Sequence, residues 1–234
     1  MRREITMDLA SIERLVAAHG LHLRGGFHPA ANDGVPALAD GRPPATLILI
    51  GNIGSSLWPA FSSAVEAGDR APDPLNRWTQ RVLGGIAREV RAVALFPFGG
   101  PPYLPFQRWA MRAEAVAPSP LGILIHPDYG LWHAYRGALA FAERLALPPR
   151  IERPRPCDTC VGRPCLSACP VGAFTERGYD VPACIGHVGG PAGGPCRSGG
   201  CLARRACPVG PTHGYGEAQA RFHMAAFLAA HPNG

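Results

Sequence analysis

Apolar positions in the first 141 residues switch between helical and strand spacing. From Asp8 to Ala18, Leu9, Ile12 and Val16 share one face of a helix, and Gly20 suits the left-handed residue past its end. After a Gly- and Pro-rich interval, Thr46-Leu47-Ile48-Leu49-Ile50 is a continuous apolar run, which predicts a central strand buried on both faces. Gly51 to Ser56 then reads as a tight turn into a helix that begins near Trp58-Pro59; it lacks the residues of a phosphate-binding loop. Asp73-Pro74 supplies an N-cap and a first helical residue, with Leu75, Trp78, Val82 and Ile86 on one face. Further strands are predicted over 92–96, 122–125 and 136–141, and a further helix over 106–115. A last helix over 217–230 has Phe222, Ala225, Ala226 and Ala229 on one side and is expected to pack back onto the first domain. This mixed order predicts a layered α+β domain.

Periodicity fails between Cys157 and Cys207, where all eight cysteines fall. They read Cys157-x2-Cys160-x4-Cys165-x3-Cys169-Pro170, then Cys184, then Cys196-x4-Cys201-x5-Cys207-Pro208. Cys-Pro-Val-Gly occurs at Cys169 and again at Cys207, so the segment looks duplicated. Around Gly189–Gly194 and Arg197–Gly200 there is almost nothing apolar to bury, so a hydrocarbon core cannot offset the entropy of ordering this stretch. An inorganic core or cross-links must do so. Three candidates fit: two 4Fe-4S clusters, two zinc sites, or disulfides. Cys-Pro at the end of each run matches bacterial ferredoxins, in which that cysteine ligates the other cluster. Zinc ribbons favour paired Cys-x2-Cys knuckles, of which Cys157 and Cys160 form one. The crossed pattern puts Cys157, Cys160, Cys165 and Cys207 on one cluster and Cys169, Cys184, Cys196 and Cys201 on the other. The x4 and x5 gaps are each two residues longer than in the simplest ferredoxin.

Composition narrows the setting. All 23 basic residues are Arg, and the formal net charge is +6. The charges are scattered and not interleaved with aromatics, so nucleic acid is not the expected partner. No apolar run approaches the length of a membrane span. Arg2 and Arg3 are followed by Glu13 and Arg14 rather than a signal core, so a cytoplasmic protein with no membrane contact is expected.

The second informative stretch runs from Leu121 to Gly137, where a short apolar strand delivers His126 to Pro127 and an aromatic cluster follows. On its own, His126 reads as a turn residue, and Trp132 and Tyr135 read as core. Yet His126, Pro127, Tyr129, Gly130, Trp132, Ala134, Arg136 and Gly137 resemble the cobalamin C-type proteins, which strip upper-axial cyanide or alkyl groups from vitamin B12. The likeness extends faintly over most of residues 9–141. It implies a nitroreductase-like α+β sandwich that binds base-off cobalamin. In that reading His126 lies at the lower face or holds the displaced nucleotide tail, and Tyr129 and Trp132 wall the corrin. Gly130 permits close approach, and Arg136 pairs with a corrin amide or phosphate. The cysteine segment resembles the two-cluster ferredoxin domain of epoxyqueuosine reductase and of reductive dehalogenases. Cobalamin C-type proteins themselves lack clusters and use a thiol cosubstrate.

Together these readings imply four regions: a cobalamin-C-like domain over 1–147, a Pro-rich linker over 148–156, a ferredoxin-like two-cluster domain over 157–212, and a C-terminal helix over 213–234. The expected function is an oxidoreductase that binds cobalamin and reduces it, dealkylates it or uses it reductively, fed by an electron-donor protein or reductase. The alternative is an electron-transfer module whose first domain docks a partner or another cofactor such as flavin.

Overall fold

A computed structural model describes residues 8–175 and 177–231; Arg2, Arg3 and the last three residues lie outside that range. The elements run α1 (Leu9–Ala17), β1 (His22–Phe27), β2 (Thr46–Ile53), α2 (Trp58–Ser62), α3 (Val65–Gly68), α4 (Pro74–Glu89), β3 (Val93–Leu95), α5 (Phe106–Ala113), β4 (Ala117–Pro118), β5 (Leu124–Ile125) and β6 (His133–Phe141). There follow α6 (Pro164–Ser167), β7 (Phe174–Thr175), β8 (Gly178–Tyr179), α7 (Val181–Gly189), α8 (Gly194–Gly199), α9 (Leu202–Arg205) and α10 (Glu217–Ala229). The chain forms two compact units, Met1–Ala115 with Ala134–Glu152, and Val116–His133 with Arg153–Gly234.

The first unit is built on a four-stranded sheet of order β1-β2-β6-β3. Leu47 to Ile50 of β2 are at most 1% exposed, as an apolar run flanked by a strand on each side requires. The strand continues to Ile53, so Gly51 to Ile53 belong to the sheet and not to a turn. Gly51 is needed there because a Cβ would lie 2.1 Å from the Ala134 carbonyl oxygen. The Asp8 side chain caps α1 by accepting from the Ser11 N–H, and Ile12 and Val16 are fully buried. In α4, Leu75, Trp78, Val82 and Ile86 face the core, and Glu66 of α3 pairs with Arg81 to hold the two helices together. Helix α5 packs on β1 and β2, and α4 on β3.

Strand β1 was not foreseen, because Gly25-Gly26 masks its alternation. Its register steps from Leu23↔Ile50 to Gly26↔Ile48, so β1 carries an extra residue at a bulge where Gly25 has φ +70°. The bulge re-aims Arg24, which is 2% exposed.

The second unit combines two short ribbons, β4–β5 and β7–β8, with α6 to α10. Residues 122–125 do not add a strand to the main sheet; β5 pairs with β4 instead. Residues 116–133 therefore leave the sheet unit and fold with the cysteine segment, a division unlike the one read from the sequence. Within the Pro-rich stretch, Arg150 Nε donates to the Glu114 carbonyl, and the boundary falls after Glu152. Helix α10 packs on α8 and α7 of its own unit through Gln219 and Ala220, while Ala225, Ala226 and Ala229 face outward. Its small apolar residues lie all round, so spacing alone selected the wrong face. Among the described residues no helix is long and apolar enough to cross a membrane.

Candidate functional site

The eight thiols are all free, and they line two pockets of the second unit. The first pocket, of about 380 Å³, is lined by Cys157, Cys160, Cys165 and Cys207 together with Leu121, Ile125 and Leu131. The second, of about 330 Å³, is lined by Cys169, Cys184, Cys196 and Cys201 together with Phe174, Val188 and Met224. Cys169 thus leaves its own run for the second pocket, and Cys207 leaves its run for the first. Among the described residues no three His, Cys, Asp or Glu side chains converge as a single metal ion requires.

Electrostatics divides the thiols in the same way. Burial pushes the Cys157 thiol up, and the charges of Cys207, Cys165 and Cys160 push it further. Burial raises Cys184 too, opposed by a hydrogen bond to Tyr179 and reinforced by Cys169 and Cys196. Cys201 is raised by burial, then by Cys184 and Cys196, against N–H donors from Arg204 and Ala203. The thiolates of Cys157, Cys184 and Cys201 are therefore destabilised by burial and by neighbours of their own group. The Ala173 N–H also donates to Cys169 Sγ at 3.3 Å.

The hairpin ahead of these thiols is part of the same packing. Leu121, Ile125 and Leu131 form a buried cluster with Ala203 and Cys207, against which Cys157, Cys165 and Cys201 pack. His126 and Gly130 close the hairpin through paired backbone hydrogen bonds of 2.8 and 3.0 Å. His126 Nδ1 accepts from the Asp128 N–H at 3.0 Å and the Tyr129 N–H at 3.3 Å, so the neutral ring carries its proton on Nε2. The Tyr129 ring stacks on it at 4.1 Å. Gly130 makes a close approach, but to protein: a Cβ there would lie 1.9 Å from the Val209 carbonyl oxygen. Trp132 is 7% exposed and meets Tyr215 edge to face at 5.3 Å, and the Arg204 guanidinium lies over both rings, at 4.6 and 4.5 Å.

The model resembles the crystal structure of a C. elegans B12-trafficking protein CblC, a homologue of human MMACHC, with a TM-score of 0.52 and 15% identity, covering 96% of this chain and 97% of that one. The two share a fold. The match is not confined to residues 9–141, since it takes in the cysteine-bearing unit as well. No family model matches the sequence, and no curated protein does.

Arg136 sits apart from the other candidates, in the sheet unit. Its guanidinium donates to Asn76 Oδ1 at 2.8 Å and to Thr79 Oγ1, and lies over the Phe98 ring, pinning β6 to α4. Sequence reasoning missed a buried polar cluster in that unit. Arg24 pairs with Glu114 at 2.8 Å, the Tyr135 hydroxyl donates to the same carboxylate at 2.5 Å, and burial then raises the Tyr135 pKa. Its members are 21 to 111 residues apart in sequence, and no spacing announces them. Arg204, over the paired rings of Trp132 and Tyr215, escaped notice for the same reason.

Proposed function

We propose that this chain is a cobalamin-binding redox protein that holds two 4Fe-4S clusters on its eight cysteines. One observation carries the reading. The hairpin bearing His126 and Tyr129 and the first group of thiols line one pocket: Leu121, Ile125 and Leu131 face Cys157, Cys160, Cys165 and Cys207. The segment that resembles the cobalamin C type is thereby joined to the segment that resembles a two-cluster ferredoxin.

The thiol geometry supports clusters over zinc. A lone zinc ion needs four ligands within about 2.3 Å of one point. A 4Fe-4S cluster takes four thiolates around a larger core, and each foursome of cysteines lines one pocket. When bound, the clusters would supply electrons one at a time and the corrin cobalt would supply the reactive centre. The chain's own part is to position and insulate. Cys157, Cys160, Cys165 and Cys207 would hold the cluster beside the hairpin, and Cys169, Cys184, Cys196 and Cys201 the other. The Nε2 proton makes His126 a hydrogen-bond donor, so the reading assigns it to a ligand oxygen or amide rather than to cobalt. Tyr129 stiffens that ring by stacking on it. Gly130, Trp132 and Arg136 serve cobalamin indirectly, by seating the hairpin and pinning β6. The cytoplasm, where reduced clusters persist, is the proposed setting.

The test is anaerobic purification, iron and acid-labile sulfide analysis, and titration with cob(III)alamin. About eight irons and eight sulfides per chain are expected, with a base-on to base-off change in the visible spectrum. Zinc in place of iron overturns the cluster reading. Intact clusters with an unchanged cobalamin spectrum favour the electron-transfer module. His126→Ala should weaken the spectral response without changing iron content.

A further inference from the structure

Arg204 lies on α9, the four-residue helix between Cys201 and Cys207. Its backbone N–H donates to the Cys201 sulfur, and its carbonyl accepts from the Cys207 N–H at 3.3 Å. One residue therefore stands between a thiol of the second pocket and a thiol of the first. Its side chain reaches the hairpin. Nε donates to the Leu131 carbonyl at 3.0 Å, Nη2 donates to the same oxygen, and the guanidinium covers the rings of Trp132 and Tyr215. The stretch after Cys207 holds the same hairpin. A Cβ on Gly210 would lie 2.5 Å from the Tyr129 carbonyl carbon, Gly130 receives the Val209 carbonyl, and the His213 ring meets Tyr129 edge to face at 5.2 Å. The copy of Cys-Pro-Val-Gly at Cys169 makes the same left-handed turn, φ +55° at Gly172 against +62° at Gly210. Nothing lies within 4 Å of a Cβ placed on Gly172, so of the two copies it is the one carrying Cys207 that is built against the hairpin.

We propose that Arg204 is a positioning residue that links the first thiol pocket to the His126 hairpin, so that the chain binds cobalamin more tightly with its clusters loaded than stripped; this rests on the function proposed above. The physical reason is the small size of α9. Four residues do not hold a helix by themselves, so Arg204 is fixed by the anchoring of Cys201 and Cys207 on either side and by Ala203, buried at 1% exposure. With both sulfurs bound to iron, the guanidinium is delivered to Leu131, and the hairpin keeps the turn that presents His126 and Tyr129. With the sulfurs released, α9 and the hairpin lose a shared support, and the binding-competent shape becomes one of several. Apparent affinity falls by the fraction of molecules that hold that shape. Linkage is reciprocal, so bound cobalamin favours retention of iron in the first pocket. A chain built in this way takes up the corrin chiefly when the cluster beside the hairpin is in place.

The experiment titrates the full chain with cob(III)alamin, as wild type, Arg204→Met and Arg205→Met, each loaded and after stripping by oxidation and chelation. Iron per chain is counted first. Arg205 is the exposed neighbour on α9, with its guanidinium beside Gly199, so its replacement removes the same charge away from the hairpin. Wild type and Arg205→Met should bind cobalamin about tenfold more weakly once stripped. Loaded Arg204→Met should keep its iron and bind about as weakly as stripped wild type. Equal affinities of loaded and stripped wild type overturn the link and leave the proposed function standing. Undiminished affinity in loaded Arg204→Met, or equal weakening by Arg205→Met, overturns the assignment to Arg204. Should Arg204→Met load less iron, Tyr215→Leu takes its place, because it removes a ring from under the guanidinium without altering α9. It must weaken cobalamin binding with iron intact, and wild-type affinity there overturns the proposal. A loaded wild type with no cobalamin response overturns the cobalamin reading itself, and a wild type without iron overturns the cluster reading.

Discussion

The sheet unit and the cysteine unit are held by different materials. In the first, Leu47, Leu49 and Ile50 are fully buried in β2, with Trp78, Trp109 and Phe141 at 1% exposure around the sheet. In the second, α6 and α9 are four residues long, too short to persist alone, and six of the eight cysteines are only part-buried. Hydrocarbon burial orders the sheet unit; the other buries a smaller cluster of Leu121, Ile125, Leu131 and Ala203, and its thiols line two pockets.

On the proposed cluster reading, the largest effect should come from stripping the iron. Chelation after oxidation should leave β2 and β6 amides protected from hydrogen exchange while residues 116–133 and 153–231 exchange freely. Uniform loss of protection would show that the two units are not independent in this sense. Next is Arg24→Ala, which leaves Glu114 without its guanidinium partner in the sheet unit. It should cost about 4 kcal/mol by denaturant titration and leave iron content unchanged. Gly130→Ala should cost about 3 kcal/mol and release iron from the first pocket, because the new methyl meets the Val209 carbonyl. Gly172→Ala, at the matching turn with open space around it, should cost about 1 kcal/mol, the left-handed backbone penalty alone. Equal costs for the two glycines would erase the difference between the motif copies.

The smallest effect concerns acid. Burial, with help from Arg24, holds the His22 imidazole below its ordinary value of 6.5. The unfolded chain therefore takes up the proton first. The stability due to His22 is complete above pH 6.5 and is lost as pH falls toward the lower folded value. The melting-temperature difference between wild type and His22→Asn should be constant above pH 6.5 and should shift against wild type as pH falls below it.

Much of the sheet unit was legible because its signals are local. The apolar face of α1, the apolar run of β2 and the stripe of α4 each depend on neighbours in sequence. Strand β1 was hidden because Gly25-Gly26 interrupts alternation where a bulge is needed. The face of α10 was misread because alanines surround the helix. In the site, the cysteine spacing foreshadowed which four thiols would share a pocket, since Cys-Pro at each run's end implies crossing. The packing of Gly130, Trp132 and Arg136 was not legible, because Val209, Arg204 and Asn76 lie 60 or more residues away.

What the sequence determined by itself is the helical and strand periodicity, the scarcity of apolar side chains around Gly189–Gly194 and Arg197–Gly200, and the concentration of thiols in the same segment. Those follow from side-chain chemistry read in order. Only the tertiary structure decided that residues 116–133 abandon the sheet for the cysteines, and that one Cys-Pro-Val-Gly turn is covered while its copy stays bare. Such choices turn on which distant surfaces meet, and a contact between Gly130 and Val209 leaves no mark on the neighbours of either.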